Sequence, residues 1–323
     1  MADSDRRGRA PARGRGRARA AVVAAAMLAT AVAAGAQTYS HGQSVYPAFE
    51  GWWQNEDGTY TMSFGYMNDN WEQELDVPIG PLNTIEPGGP DRGQPTHFQP
   101  RRNMFLFEVV VPSDFGDQEL VWTVTTAGRT NRAHASLRTD YLLDTQTIAT
   151  EVGANRGGIS QDWQWNEPPT LRLAVDQPRR GRVGQPLTLV AWAFDDDGIP
   201  SSSKAGVTQR PQGQRRARPD RHPAYTPPSQ IVPGNPNGLR LSWILYRGAG
   251  GVTFDPVQTK TWQDTRSYAN SPWSPPFEVP PPPDDGRWEV GAVFSEPGVY
   301  VLRAVASDGA LFAYQDLEVT VEP

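Results

Sequence analysis

Acidic side chains stand at alternate positions in Asp69-Asn70-Trp71-Glu72-Gln73-Glu74-Leu75-Asp76, and few other stretches of the chain have a spacing so suggestive of chemistry. Read as a strand, the segment sets Glu72, Glu74 and Asp76 on one face, roughly 6.8 Å apart at ~3.4 Å per residue. Trp71, Gln73 and Leu75 take the other face. Carboxylates at about that separation would suit an inverting glycoside hydrolase, where one donates a proton and the other activates water. They would equally suit sugar or cation binding. Any solvated strand with acids at alternate positions gives the same spacing, so the plain reading is a polar strand face.

Two other groups are candidates. Asp195, Asp196 and Asp197 precede Gly198 at the end of a predicted strand, and Asp308 ends another. Clustered carboxylates supply the hard oxygen ligands that calcium prefers, so calcium is the alternative to the plain expectation of no cofactor. The spacing lacks an Asp-x-Asp-x-Asp-Gly loop, and aspartates favour strand-end turns in any case. Trp52 and Trp53 are consecutive, so in an extended strand one faces inward and the other becomes a surface platform on which a sugar ring could stack. Trp163 and Trp165 fit better as a seal between domains.

Other chemistries are poorly served. The chain has no cysteine, which removes disulfides, thiolate metal sites and a thiol nucleophile. Its four histidines (His41, His97, His134, His222) lie in separate segments. They are too far apart for a zinc ligand pair, and there is no Gly-x-Ser-x-Gly elbow or glycine-rich phosphate loop.

Residues 1–36 read as a bacterial-type export signal. Seven arginines precede an apolar run from Ala20 to Ala34, and Ala34-Gly35-Ala36 is a small-x-small cleavage pattern that leaves Gln37 first. The run is alanine-rich and shorter than the ~20 strongly apolar residues that span a bilayer, so no transmembrane span is expected in the mature chain. Removing seven arginines and two aspartates from 30 bases and 36 acids leaves 23 against 34, a net charge of −11. Such a surface repels nucleic acid and anionic lipid.

Beyond the leader, period-two alternation recurs and no helical period holds. Tyr60, Met62, Phe64 and Tyr66 share one face of a strand, after a turn at Asn55-Glu56-Asp57-Gly58. Further strands are expected at 104–111, 120–126, 171–175, 186–194, 239–246, 298–307 and 311–321. The proline-rich stretch 77–100 is expected to be a loop, because proline cannot serve a central strand. The resulting plan is all-β: an extension at 37–48, a first β-sandwich at 49–152, a linker at 153–168 and a second sandwich at 169–323. An insertion at about 201–237 interrupts the second. It carries six bases (Lys204, Arg210, Arg215, Arg216, Arg218, Arg221) and has little to bury.

The second block resembles the PKD-like and related immunoglobulin-like domains of extracellular proteins. The resemblance is carried by Gly184-Gln185-Pro186-Leu187-Thr188-Leu189, Phe194-Asp195-Asp196-Asp197-Gly198, Leu241-Ser242-Trp243, Gly251-Val252-Thr253-Phe254, Phe294 to Leu302, and Ala306-Ser307-Asp308-Gly309. It implies a two-sheet sandwich with Trp243 at its centre, and no particular ligand. The basic insertion and the proline-rich stretch 271–285 depart from the pattern in the loops. The expected function is a non-catalytic exported protein that binds a protein or polysaccharide at the cell surface or serves envelope or matrix assembly. A carbohydrate-binding module using Trp52, Trp53 and the Trp71 region is one alternative. A carboxylate-dependent glycoside hydrolase or other secreted hydrolase, with chemistry at Glu72, Glu74 and Asp76, is the other.

Overall fold

The alternation in Tyr60–Asn68 (β2) puts Met62, Phe64 and Tyr66 at under 2 % exposure in one core, with Tyr60 packed at its margin. This strand lies between Val45–Gln54 (β1) and Arg101–Val111 (β6), antiparallel to both. The computed structural model describes residues 39–176, 179–200, 237–248, 250–262 and 279–323. The export signal at 1–36 and nearly all of the basic insertion lie outside the described residues.

A second sheet faces this one. It consists of Asn83–Glu86 (β4), Leu120–Thr126 (β7) and Arg129–Ala135 (β8) in the order β4-β7-β8. Its Leu120, Trp122 and Val124 meet Phe64, Phe98 and Phe107 in the same core. Phe107 and Phe64 stack at 5.2 Å, and Trp122 meets Phe107 edge-on at 5.0 Å. Contacts of this kind add about 0.5–1.5 kcal/mol each beyond their buried area. The first strand starts at Val45, so the expected extension at 37–48 is partly sheet. The 77–100 stretch is ordered and contributes β4, an edge strand paired on one side only. That position is compatible with the prolines around it. Where β2 bulges against β6, a side chain at Gly65 would collide with Glu50 Oε1 and the Asn103 carbonyl.

Among the described residues the second sandwich uses eight strands. Thr170–Leu173 (β9), Leu187–Phe194 (β11), Val252–Asp255 (β13) and Arg287–Phe294 (β14) form one sheet, ordered β13-β14-β11-β9. Arg180–Arg182 (β10), Arg240–Arg247 (β12), Gly298–Ser307 (β15) and Phe312–Glu322 (β16) form the other, ordered β10-β16-β15-β12. This is the strand order of a constant-type immunoglobulin sandwich with its first strand split between the sheets. Trp243 is 1 % exposed between them. Tyr300 Oη donates to the Glu296 carbonyl at 2.7 Å, the hydrogen bond of a tyrosine corner. The immunoglobulin-like expectation thus holds on strand order, without a feature that singles out the PKD-like branch.

The segment between the sandwiches is not extended. It forms two short helices, Thr145–Glu151 (α1) and Ala154–Gly157 (α2), and a 3-10 turn at Gln161–Trp165. Asp144 caps α1 by accepting from the Thr147 N–H at 2.7 Å. Trp163 is buried with Leu143, Ala149 and Val152 against Ala310 and Leu311, whereas Trp165 is 70 % exposed. One tryptophan therefore seals and the other does not.

β12 and the second half of β15 are buried on both faces, whereas β16 alternates between buried and exposed residues beyond Tyr314. Leu241, Trp243 and Leu245 enter the second core, while Ile244, Tyr246 and Val305 belong to the core cluster of the first sandwich. Residues 40–323 accordingly form one compact unit.

Candidate functional site

The acidic segment 69–76 is a strand only at Leu75–Asp76 (β3), which pairs with His97–Phe98 (β5). The expected strand over 69–76 is corrected, and the reason is local. Asn68 Oδ1 accepts from the Asn70 N–H and from Asn70 Nδ2, while Asn68 Nδ2 donates to the Gln73 carbonyl at 2.9 Å. The N–H groups of Glu72 and Gln73 donate to the Ser40 carbonyl. Side-chain amides and a distant carbonyl take the backbone groups that a sheet partner would need, so the chain turns.

Within this turn Glu74 and Asp76 converge on His97. Asp76 Oδ1 lies 2.8 Å from His97 Nδ1, and Glu74 Oε2 lies 3.4 Å from Nε2. The histidine is 6 % exposed. Burial opposes its charged form, but the hydrogen bonds and charges of Asp76 and Glu74 outweigh burial and push its pKa to about 9. It is therefore a cation at neutral pH, held between two carboxylates. Glu72 is exposed, and Trp71 lies under the Arg101 guanidinium at 4.0 Å. The carboxylate pair expected to flank a scissile bond is engaged with an internal histidine instead.

Neither Trp52 nor Trp53 forms an open platform. Trp52 packs on the first core, meets Tyr60 edge-on at 5.5 Å and donates its indole N–H to the Arg138 carbonyl at 2.8 Å. Trp53 packs against the Trp163 cluster. The two indoles do leave opposite faces of a strand that is continuous across Gly51–Gln54, but the segment 139–165 covers the face that was expected to be solvent.

Asp195, Asp197 and Asp308 do gather at one end of the second sandwich. Asp308, fully buried, accepts from the Ala310 and Leu311 N–H groups with Oδ1 and from Asn166 Nδ2 with Oδ2. Asp197 accepts from the Glu167 and Ile199 N–H groups, and Asp195 from the Gly198 N–H. Burial raises the Asp195 pKa first, the hydrogen bond with Asp197 and the charge of Asp308 follow, and together they bring it to about 7. Burial likewise raises Asp308, against its N–H donors, Asn166 and Arg240. Asp196 is exposed. Among the described residues no three ligating side chains are arranged to hold a metal ion.

The junction between the sandwiches carries a polar centre that alternation could not reveal. Arg303, 7 % exposed, donates through Nε and Nη2 to both oxygens of Asp316 at 2.6 and 2.7 Å and through Nη1 to the Leu106 carbonyl. Its guanidinium lies 3.5 Å from the Tyr246 ring centroid. Tyr314 Oη donates to the Phe105 carbonyl at 2.6 Å, and Tyr246 Oη to the Gly93 carbonyl at 2.5 Å. Arg247 adds a bidentate pair with Asp91. The second sandwich thus grips backbone carbonyls of the first through side chains some 150–200 positions away. A fork held on both oxygens by a carboxylate is the strongest form of such a contact.

No family model and no curated protein matches the chain. Among solved structures, a chimeric titin Z1Z2 carrying a decorin-derived peptide aligns over 87 % of this chain and 98 % of its own, at 10 % identity and a TM-score of 0.22. The adhesin InvE of Yersinia pseudotuberculosis aligns over 88 % of this chain and 61 % of its own, at 10 % identity and 0.22. The D0-D1 domain of intimin aligns over 85 % and 97 %, at 9 % identity and 0.21. At such TM-scores these likenesses carry no argument, and the immunoglobulin-like assignment stands on the strand order and the tyrosine corner.

Proposed function

We propose that the chain is an exported, non-catalytic recognition protein in which two immunoglobulin-like sandwiches act as one rigid body at the cell surface or within the envelope. The carrying observation is the junction: Arg303, Tyr246 and Tyr314 bond backbone of the first sandwich from the second, and β12 and the second half of β15 are buried on both faces. These bonds and the bidentate Arg247–Asp91 pair cross the junction, so a hinge motion would have to break them and expose Ile244, Tyr246 and Val305 to water. Fixed relative placement suits a protein that presents one composite surface to a partner. The non-catalytic reading is supported by Glu74 and Asp76, which are engaged with His97. The partner is a protein or a polysaccharide, and fold by itself does not choose between them.

The test is fractionation of a bacterial host expressing the full chain, with N-terminal sequencing of the product. The expected result is protein outside the cytoplasm that begins at Gln37. Retention in the cytoplasm with residues 1–36 intact overturns export. Limited proteolysis of the exported protein addresses rigidity: cleavage between 136 and 169 that releases two stable halves would refute the single body.

A further inference from the structure

The two sandwiches do not close completely over their junction. A cleft of about 660 Å³ opens beside Arg303, within the size range of small-ligand sites. One wall is β6, at Leu106, Phe107 and Glu108. The opposite wall is the outer face of β15 and β16, where Val301 stands opposite Glu318. Tyr246 and Tyr314 line it as well, with both hydroxyls already donated to main-chain carbonyls.

The charges in the cleft fall into two sets. Arg303 is neutralised by Asp316, and Arg247 by Asp91. Glu108 and Glu318, both exposed, make no hydrogen bond and no ion pair among the described residues. Arg179 is exposed at the rim. With Asp91 counted alongside the lining residues, four carboxylates face three guanidiniums, so the cleft is net negative. The surrounding walls of the cleft partly desolvate the Glu108 carboxylate and raise its pKa, opposed by the charge of Arg303. A carboxylate held in that state gains from a further cation beside it. Aromatic and aliphatic walls that end in carboxylates match one side-chain type: a long apolar stem with a charged tip.

We propose that this cleft receives a basic side chain, lysine or arginine, presented by a protein partner. Its stem would lie along Val301 and Phe107, and its tip between Glu108 and Glu318. The overall charge of the chain, −6, favours the approach of a basic surface. The inference rests on the recognition reading above and names the partner chemistry. It can fail while export stands, because export is read by fractionation and the cleft by titration.

The experiment is an NMR titration of the full chain with blocked tripeptides that carry arginine, glutamine or glutamate between two glycines, and with a neutral oligosaccharide. The arginine peptide is expected to produce saturable shifts around residues 106–108, 301–303 and 314–318, weakened by added salt. The glutamine and glutamate peptides should produce none. Glu108→Gln and Glu318→Gln, exposed and near-isosteric, are each expected to weaken binding about threefold to fivefold, as for partly exposed ion pairs. Unchanged melting temperatures of both variants show that the fold is retained. The inference is overturned by no saturable shift with the arginine peptide, by equal affinity in the double variant, or by shifts from the sugar alone. Shifts that appear only after residues 204–221 are deleted would make the occupant the chain's own arginine-rich segment, which also overturns it.

Discussion

Two carboxylate clusters, one in each sandwich, meet burial in opposite ways. At the first, Glu74 and Asp76 enclose a buried cation, His97, and the three charges offset one another. At the second, Asp195, Asp197 and Asp308 have N–H donors, Asn166 and the charge of Arg240 beside them, and the acids also repel one another. The Oδ1 of Asn166 is buried without a hydrogen-bond partner among the described residues. The first cluster binds a proton more tightly on folding because a histidine gains partners. The second does so because an acid loses water and gains like charges. Equal-looking runs of acids therefore contribute to stability with different charge states at pH 7.

The largest effect is expected from removing the cation at the first cluster. His97→Ala leaves Glu74 and Asp76 facing each other over a cavity, and we expect a loss of about 2 kcal/mol at pH 7. The figure lies below the ~3–5 kcal/mol typical of broken buried pairs, because both carboxylates are about half exposed and screened by water. Chemical denaturation at pH 7 measures it. A loss no greater than that of an ordinary surface substitution would mean that the cluster is a solvated turn.

The pH dependence sharpens the contrast. The folded pKa of His97, about 9, lies above its ordinary value of 6.5. Its contribution is thus fully present below pH 6.5 and is lost as pH rises through about 9. Wild-type protein should lose stability between pH 7 and 9.5, and His97→Gln should show a flatter profile over that window. Parallel profiles would remove His97 as the titrating group.

The contrast also marks what the sequence could tell. Tyr60, Met62, Phe64 and Tyr66 announce their strand because large apolar residues recur with period two, although the other face, at Thr61 and Ser63, is buried as well. Trp243 and Tyr300 were placed by the same logic. The junction was written in another register: Trp243-Ile244-Leu245-Tyr246 is a continuous apolar run, as expected of a strand covered on both faces. The strand at 287–294 escaped notice although Trp288, Val290, Ala292 and Phe294 are in phase, since a proline-rich stretch precedes it and Gly291 interrupts it. The pairing of Glu74 and Asp76 with His97 had no local signal at all. It depends on a two-residue ribbon whose halves are some 20 positions apart, made possible by side-chain bonds from Asn68.

Asp195→Asn tests the second cluster and should act in the opposite sense to His97→Ala. The folded pKa of Asp195, about 7, lies above its ordinary 3.8, so deprotonation opposes folding progressively as pH rises from about 4 to 7. The amide cannot ionise and keeps an acceptor for the Gly198 N–H. At pH 8 the variant should melt about 2 °C higher than wild type, a shift of under ~1 kcal/mol in a chain of this size, given that the group is partly exposed. At pH 4 the two should coincide. A lower melting temperature at pH 8 would mean that the Asp195 carboxylate makes a contact worth more than its repulsion.

Calcium offers the finest discrimination between the clusters. An ion bound by Asp195, Asp197 and Asp308 would place a cation directly among the carboxylates and make the second corner resemble the first. The oxygens of Asp308 and Asp197 already accept three and two hydrogen bonds. An ion would have to share or displace those donors, and calcium prefers six to eight oxygens. The Asn166 carbonyl oxygen is the neighbouring acceptor with its valence open. Melting curves at pH 7.5 in excess calcium and in chelator are expected to coincide for wild type and for Asp308→Asn. A calcium-dependent rise in wild type that Asp308→Asn abolishes would place the ion at this corner, since a ligand that binds only the folded state stabilises it in proportion to its occupancy. The bound ion would also offset the repulsion among these acids, and the pH profile of the calcium-loaded protein would then lose its slope between 4 and 7.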